Sequence, residues 1–191
     1  MAILVEKISK SYGEEQVLKN FSCSFSEGQL TCIMGHSGGG KTTLINILLG
    51  IEQPDEGGIQ GLAGKKMSAV FQEDRLCENL SAAANIRLAC SRHVSDEELD
   101  EAFRRICLEE VWKKPVRELS GGMRRRVAIL RALFAEYDCL ILDEPLKGLD
   151  EETKQKTAAY ILEKIKGKTV LAVTHEEEET ELLKAEKIIR M

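Results

Sequence analysis

The run Gly35-His36-Ser37-Gly38-Gly39-Gly40-Lys41-Thr42 fits the pattern G-x-x-x-x-G-K-[ST] and lies between an apolar strand-like run and a helical one. Its glycines let the backbone wrap around an anion, so that successive N–H groups and the helix start face it. Lys41 adds a point charge near the β- and γ-phosphates of a nucleotide, and Thr42, followed by Thr43, brings a hydroxyl to a magnesium ion. A second constellation, Cys139-Leu-Ile-Leu-Asp143-Glu144, ends an apolar strand in two carboxylates. Asp143 suits the magnesium side, and Glu144 suits a general base that polarises the water attacking the γ-phosphate. Alone, a glycine-rich turn with a solvated lysine, or Asp-Glu at a strand end, is ordinary surface. Together they form a nucleotide site.

The surrounding pattern supplies the elements that must hold these groups. Residues Ala2 to Ile8 are apolar-rich, and Phe21, Cys23 and Phe25 alternate with serines, as in a half-solvated strand at an antiparallel edge. Leu30 to Met34 reads as a strand, Thr42 to Leu49 as a buried helix, Pro54 to Gly58 as a turn, and Met67 to Phe71 as another strand. From about residue 73 to 118 the character changes. Ser95 with Glu98 forms a candidate capping box, followed by Leu99, Ala102, Phe103 and Ile106 on one helical face. Beyond Leu119 come a helix near 122–135, a strand at Cys139 to Leu142, a helix near 151–165, and strands at Thr169 to Thr174 and Lys187 to Met191. Nearly continuous apolar strands imply a parallel sheet covered on both faces.

Composition sets the outer limits. The 191 residues suit one domain, or one with a small insertion, and a net charge of -5 with aromatics at 5% argues against a general nucleic-acid binder. No apolar run approaches the roughly 20 residues of a membrane span, and Glu6 interrupts any secretory leader, so cytosolic residence is expected. The six cysteines form no C-x-x-C pair and read as reduced, mostly buried thiols. The run Arg124-Arg125-Arg126 reads as solvated helix charge.

Leu119-Ser120-Gly121-Gly122-Met123, ahead of a helical pattern, resembles the signature motif of ABC (ATP-binding cassette) ATPases. On its own chemistry, Ser120 with Gly121 and Gly122 offers a hydroxyl and backbone N–H groups at a helix start, a second anion-binding arrangement. Other elements stand in the family's order: Tyr12 resembles the aromatic that stacks on adenine, and Gln72 the Q-loop glutamine that links magnesium to the transporter contact. Asp150 in Lys-Gly-Leu-Asp resembles the aspartate at the dimer seam, and His175 the switch histidine at the γ-phosphate. Singly, Tyr12 reads equally as a half-buried tyrosine, Gln72 as a solvated loop residue, and His175 as structural. Met123 departs from the family's usual glutamine.

The resemblance implies an α/β, P-loop NTPase fold of ABC ATPase type. It comprises a mostly parallel core sheet flanked by helices, an N-terminal antiparallel β subdomain and a small inserted helical subdomain. Residues 1–191 form one domain, with 1–72 and 119–191 as the nucleotide-binding core and about 73–118 as the insertion. It further implies that the signature of one subunit caps the ATP on another's phosphate loop. The expected partners are a second copy of the chain, a transmembrane permease on whose cytoplasmic face the pair sits, and, for an importer, a solute-binding protein. Phe71-Gln-Glu-Asp-Arg-Leu76, with Asn79-Leu and Asn85-Ile86, resembles the ATPases of nitrate, sulfonate and taurine importers. A small-molecule kinase is compatible with the phosphate loop alone, and a soluble DNA-repair or ribosome-acting ABC protein with the signature; the full set of motifs on one short chain favours the transport ATPase.

Overall fold

The computed structural model describes residues 2–36, 38–109 and 111–191. The chain opens with two long antiparallel strands, β1 (Ile3–Tyr12) and β2 (Glu15–Phe25), turned at Gly13, whose φ of 61° is left-handed. Their apolar positions, Ile3, Val5, Ile8, Leu18 and Phe25, are buried together with Ser9, while Lys7, Lys19 and Ser22 are exposed. The short strand β3 (Leu30–Met34) follows and, after the phosphate loop, helix α1 (Lys41–Leu48).

The expected turn at Pro54 to Gly58 is in part a strand, β4 (Glu56–Gln60), which pairs antiparallel with β1. Its glycines conceal it. A Cβ on Gly57, which has φ 83°, would stand 2.4 Å from the Glu6 carbonyl, so glycine marks close backbone approach here.

Strand β5 (Met67–Val70) leads into helices α2 (Ala82–Arg87) and α3 (Asp96–Arg105), a 3-10 turn at Val116–Glu118 and helix α4 (Gly121–Phe134). Only half of the candidate capping box forms: Ser95 Oγ accepts from the Glu98 N–H, but the Glu98 carboxylate pairs with Arg92 instead. Leu99, Ala102, Phe103 and Ile106 are buried as their spacing predicts.

The chain then alternates: β6 (Cys139–Asp143), α5 (Glu151–Lys164), β7 (Thr169–Thr174), the short α6 (Glu177–Leu182) and β8 (Lys187–Arg190). The two sheets run β2-β1-β4 and β5-β6-β7-β3-β8, the second parallel throughout. Every residue of β3, β6 and β7 is buried because both faces are covered. Cys139, Ile141, Leu171 and Val173 pack towards α1 and the antiparallel sheet. Leu140, Leu142, Val170 and Ala172 pack towards α3, α4 and α5. The two-residue period of the strands thus feeds two separate cores, each large side chain contributing about 1.5–3 kcal/mol by burial.

All six cysteines are free thiols, but only Cys32 and Cys139 are fully buried; Cys77, in the loop before α2, is exposed.

Candidate nucleotide site

The parallel sheet brings the predicted groups together. The phosphate loop follows β3, His175 follows β7, Asp143 and Glu144 end β6, and Gln72 follows β5, all at the C-terminal edge of strands adjacent in the sheet. That edge is where open α/β sheets bind ligands.

In the loop, Gly38 and Gly40 have φ of 83° and 82°, the left-handed region that glycine alone enters freely. Gly40 precedes α1 with no side-chain cap, so the first N–H groups of the helix are left for a ligand. A Cβ at Gly40 would lie 2.8 Å from Leu18 Cδ2 and 3.0 Å from the Val17 carbonyl, because β2 packs directly on the loop. Lys41 is buried, and its Nζ donates to the carbonyls of Gly35 and His36, each at 2.8 Å. Ser37 lies outside the described residues.

A cleft of about 300 Å³ opens above α1, lined on the loop side by Gly38, Gly40, Lys41, Thr42 and Thr43, and opposite by Gln72, Asp143 and Glu144. Glu15 and Val17 of β2 complete it, and the sequence did not reveal them: their approach follows from the packing of the two sheets. Gly35, His36 and Gly39 belong to the same loop, with a Cβ on Gly35 reaching within 2.7 Å of the Met191 carbonyl. Among the described residues no cluster of three or more His, Cys, Asp and Glu side chains forms a metal cage. The Thr42 hydroxyl, the Gln72 amide and the Asp143 carboxylate are hard oxygen donors on one cleft, a set that fits magnesium completed by phosphate oxygens and water. Burial pushes the Asp143 carboxyl up, and the neighbouring Glu144 charge adds to it, so a dication beside it would be favoured.

Glu144 adopts φ 48°, uncommon for a residue with a Cβ, and its N–H donates to the Val173 carbonyl at 2.8 Å. One carboxylate oxygen is 3.2 Å from His175 Nδ1 and the other is paired with the Lys147 ammonium. Partial burial pushes this carboxyl up, but Lys147 and His175 outweigh it and hold it below the usual glutamate range. The base candidate is thereby kept ionised.

Of the other predicted residues, Tyr12 approaches the cleft through Thr43, which lines it, while Ser120 and Asp150 stand at the starts of α4 and α5. Tyr12 is 48% exposed, donates through its hydroxyl to Glu52 at 2.6 Å and has the Lys10 ammonium 5.8 Å from its ring centre. Ser120 caps α4, accepting from the Met123 N–H at 3.3 Å, and Asp150 caps α5, accepting from the Thr153 N–H at 3.0 Å. Gly121 and Gly122 line a second cleft with Arg125, Lys147 and Gly148, sharing only Gln72 and Glu144 with the first.

The arginine run departs from the expectation of solvated charge. Arg125 and Arg126 are buried, at 6% and 8% exposure. Arg126 Nη1 donates to the carbonyls of Ile106 and Cys107 at 2.7 and 2.8 Å, closing the end of α3. Arg125 reaches the opposite way, to the carbonyls of Phe71, Asp143 and Glu144 and to the Asp74 carboxylate. Adjacent cations on a helix point in different directions, and three distant segments fold over them.

Comparison with known proteins agrees with this geometry. Residues 18–147 match the ABC transporter family. The thiamine import ATP-binding protein of Mesorhizobium japonicum is 37% identical over 91% of this chain and 74% of its own length. An aliphatic sulfonates import ATP-binding protein of Shouchella clausii is 36% identical over 94% of this chain and 73% of its own. The dimeric structure of MJ0796, a bacterial ABC transporter cassette, superposes with a TM-score of 0.86 at 30% identity, covering 99% of this chain and 94% of that one. The same cassette in a post-hydrolysis state, bound to ADP and Pi, gives 0.85 at 30% identity. A phosphate loop and a base candidate on adjoining strand ends, a signature segment capping a separate helix, and these relatives lead to one conclusion: the chain belongs to the ABC transporter family, as its ATP-hydrolysing subunit.

Proposed function

We propose that two copies of this chain assemble head to tail, with Ser120, Gly121 and Gly122 of one copy closing over ATP held by the phosphate loop of the other. The supporting observation is the separation of the two clefts: the signature glycines open onto a different cleft from the one Lys41 lines. In this reading residues 1–72 and 119–191 form the nucleotide-binding core and the helical stretch at about 73–118 is the insertion. Tyr12 flanks the adenine, Gly35 to Thr43 wrap the phosphates, and Asp150 sits at the seam between copies. Thr42, Gln72 and Asp143 hold magnesium, which supplies charge neutralisation at the β- and γ-phosphates. Glu144 accepts the proton of the attacking water, and His175 contacts the γ-phosphate while steadying Glu144.

The partners are a second ATPase copy, a membrane permease and, because the thiamine and sulfonate relatives are import ATP-binding proteins, a solute-binding protein; nucleic acid is not one. No helix among the described residues is long and apolar enough to cross a membrane; the likeness to import ATP-binding proteins supports attachment to the permease at the inner face of the cell membrane. Relatives of similar identity are named for thiamine and for sulfonates, which supports recognition of the cargo by the membrane partner rather than by this chain.

Sedimentation of Glu144→Gln with and without ATP and magnesium tests the assembly. Dimers that need ATP and vanish in Ser120→Arg are expected. A chain that binds ATP but stays monomeric at every concentration would overturn the sandwich.

A further inference from the structure

Arg125 is anchored on the helix that begins at the signature, yet none of its polar contacts lie on that helix. Its guanidinium fork donates to the Phe71 carbonyl, immediately before Gln72, and to Asp74, 3.2 Å away, just after it. On the other side it donates to the carbonyl of Asp143 and, at 2.7 Å, to that of Glu144. The side chain is only 7% exposed, so these acceptors have little access to water in its place. Glu144 stands at φ 48°, a conformation that needs its surroundings to hold it, and Arg125 grips the carbonyls on both sides of that residue's φ and ψ rotations. Arg131, further along α4, continues the grip on the same loop through the carbonyls of Asp74 and Arg75 at 2.9 and 2.6 Å.

We propose that Arg125 is a positioning residue that ties the Gln72 loop and the Glu144 backbone to the signature helix, so that displacement of α4 changes the aim of the catalytic carboxylate. A guanidinium suits this task because its planar donors serve several carbonyls at fixed angles, whereas an ammonium presents a single point. The proposal rests on Glu144 acting as the base. It adds to that reading a route by which closure over the signature reaches the chemistry. Arg126 is the internal contrast: same helix, same charge, but it donates to the carbonyls of Ile106 and Cys107 at the end of α3 and of Gly122 on its own helix, and none of these acceptors is on the Gln72 loop or at Glu144.

The test compares Arg125→Lys and Arg125→Gln with the unmodified protein and with Glu144→Gln in steady-state ATP hydrolysis, alongside amide hydrogen exchange of the full chain. A fall of roughly tenfold to a hundredfold in kcat is expected for Arg125→Gln, with a smaller fall for Arg125→Lys and KM for ATP within about twofold. Amides of residues 71–75 should exchange faster in both variants, while those of β3 and α1 keep their protection. Unchanged kcat, or a loss of protection spread evenly over the whole chain, would overturn the coupling. If the arginine variants do not fold, Asp74→Asn removes only the outer anchor; it must lower kcat and loosen the same amides, and no change in either readout overturns the proposal. Hydrolysis that persists in Glu144→Gln would refute the base assignment, whereas hydrolysis that persists only in the Arg125 variants refutes the coupling alone.

Discussion

The starts of α1 and α4 are both glycine-rich, both suited to anions, and built in opposite ways. Gly40 leads into α1 in the left-handed conformation with no side-chain cap, and Lys41 lies beside the uncapped N–H groups. Ser120 leads into α4 in extended backbone and caps the helix itself, its Oγ accepting from the Met123 N–H. One end is completed by a phosphate; the other is already complete as a helix start and still has a hydroxyl proton to offer. A self-capped end can therefore travel as a rigid unit and meet a nucleotide late, whereas an uncapped end must meet it first.

The largest effect expected from this difference is in ATP affinity. Lys41→Met should weaken ATP binding by the separated chain roughly tenfold to a hundredfold in a titration, the range of one charge-assisted hydrogen bond, while Ser120→Ala should leave it unchanged. Equal losses in the two variants would break the comparison. Next in size is Gly40→Ala, which puts a Cβ at positive φ against Leu18 and Val17 and should cost about 1–3 kcal/mol in urea unfolding. Gly121→Ala meets no atom within 4 Å and should stay within about 0.5 kcal/mol of the parent, so any loss of ATP-driven dimers in that variant reports the interface and not the fold. Ser120→Ala should lower stability by about 1 kcal/mol through the lost cap, and Ser120→Asp should recover most of it.

The smallest effect lies away from both helix starts, at Glu179. Burial pushes its carboxyl above the ordinary 4.5, against the opposing hydrogen bond from Thr174. The folded chain therefore holds that proton more tightly than the unfolded chain. Stability from this group is full below the unfolded pKa and falls as pH rises through the folded one. Glu179→Gln should raise Tm slightly near pH 8 and match the parent near pH 4; a difference that grows towards acid would reverse the assignment.

Much of this was legible in the sequence where local chemistry dictates structure. The apolar runs of β3, β6 and β7, the glycine loop and the paired carboxylates each declare their role within a few residues. β4 was hidden because its glycines, which let it approach β1, are the residues that mark turns. Arg125 and Arg126 read as solvated charge because their partners are carbonyls from β5, β6 and the end of α3, and backbone acceptors carry no sequence signature. Glu15 and Val17 were missed for a related reason: nothing in β2 records that another sheet will carry it to the rim of the cleft.

The distribution of thiols, noted above only as a matter of burial, makes the molecule its own labelling reagent. Burial pushes Cys23 to about 11 and Cys32 and Cys139 to about 12, and raises Cys90 as well, so these sulfurs stay protonated and unreactive at neutral pH. Cys77 is exposed, with its backbone pinned by the Asn85 amide at 2.8 and 3.0 Å, in the stretch that follows Gln72. Cys77 is the exposed thiol, with Cys107 partly covered, so a maleimide dye is expected to meet Cys77 first, and its fluorescence would follow that stretch in real time without a single engineered residue.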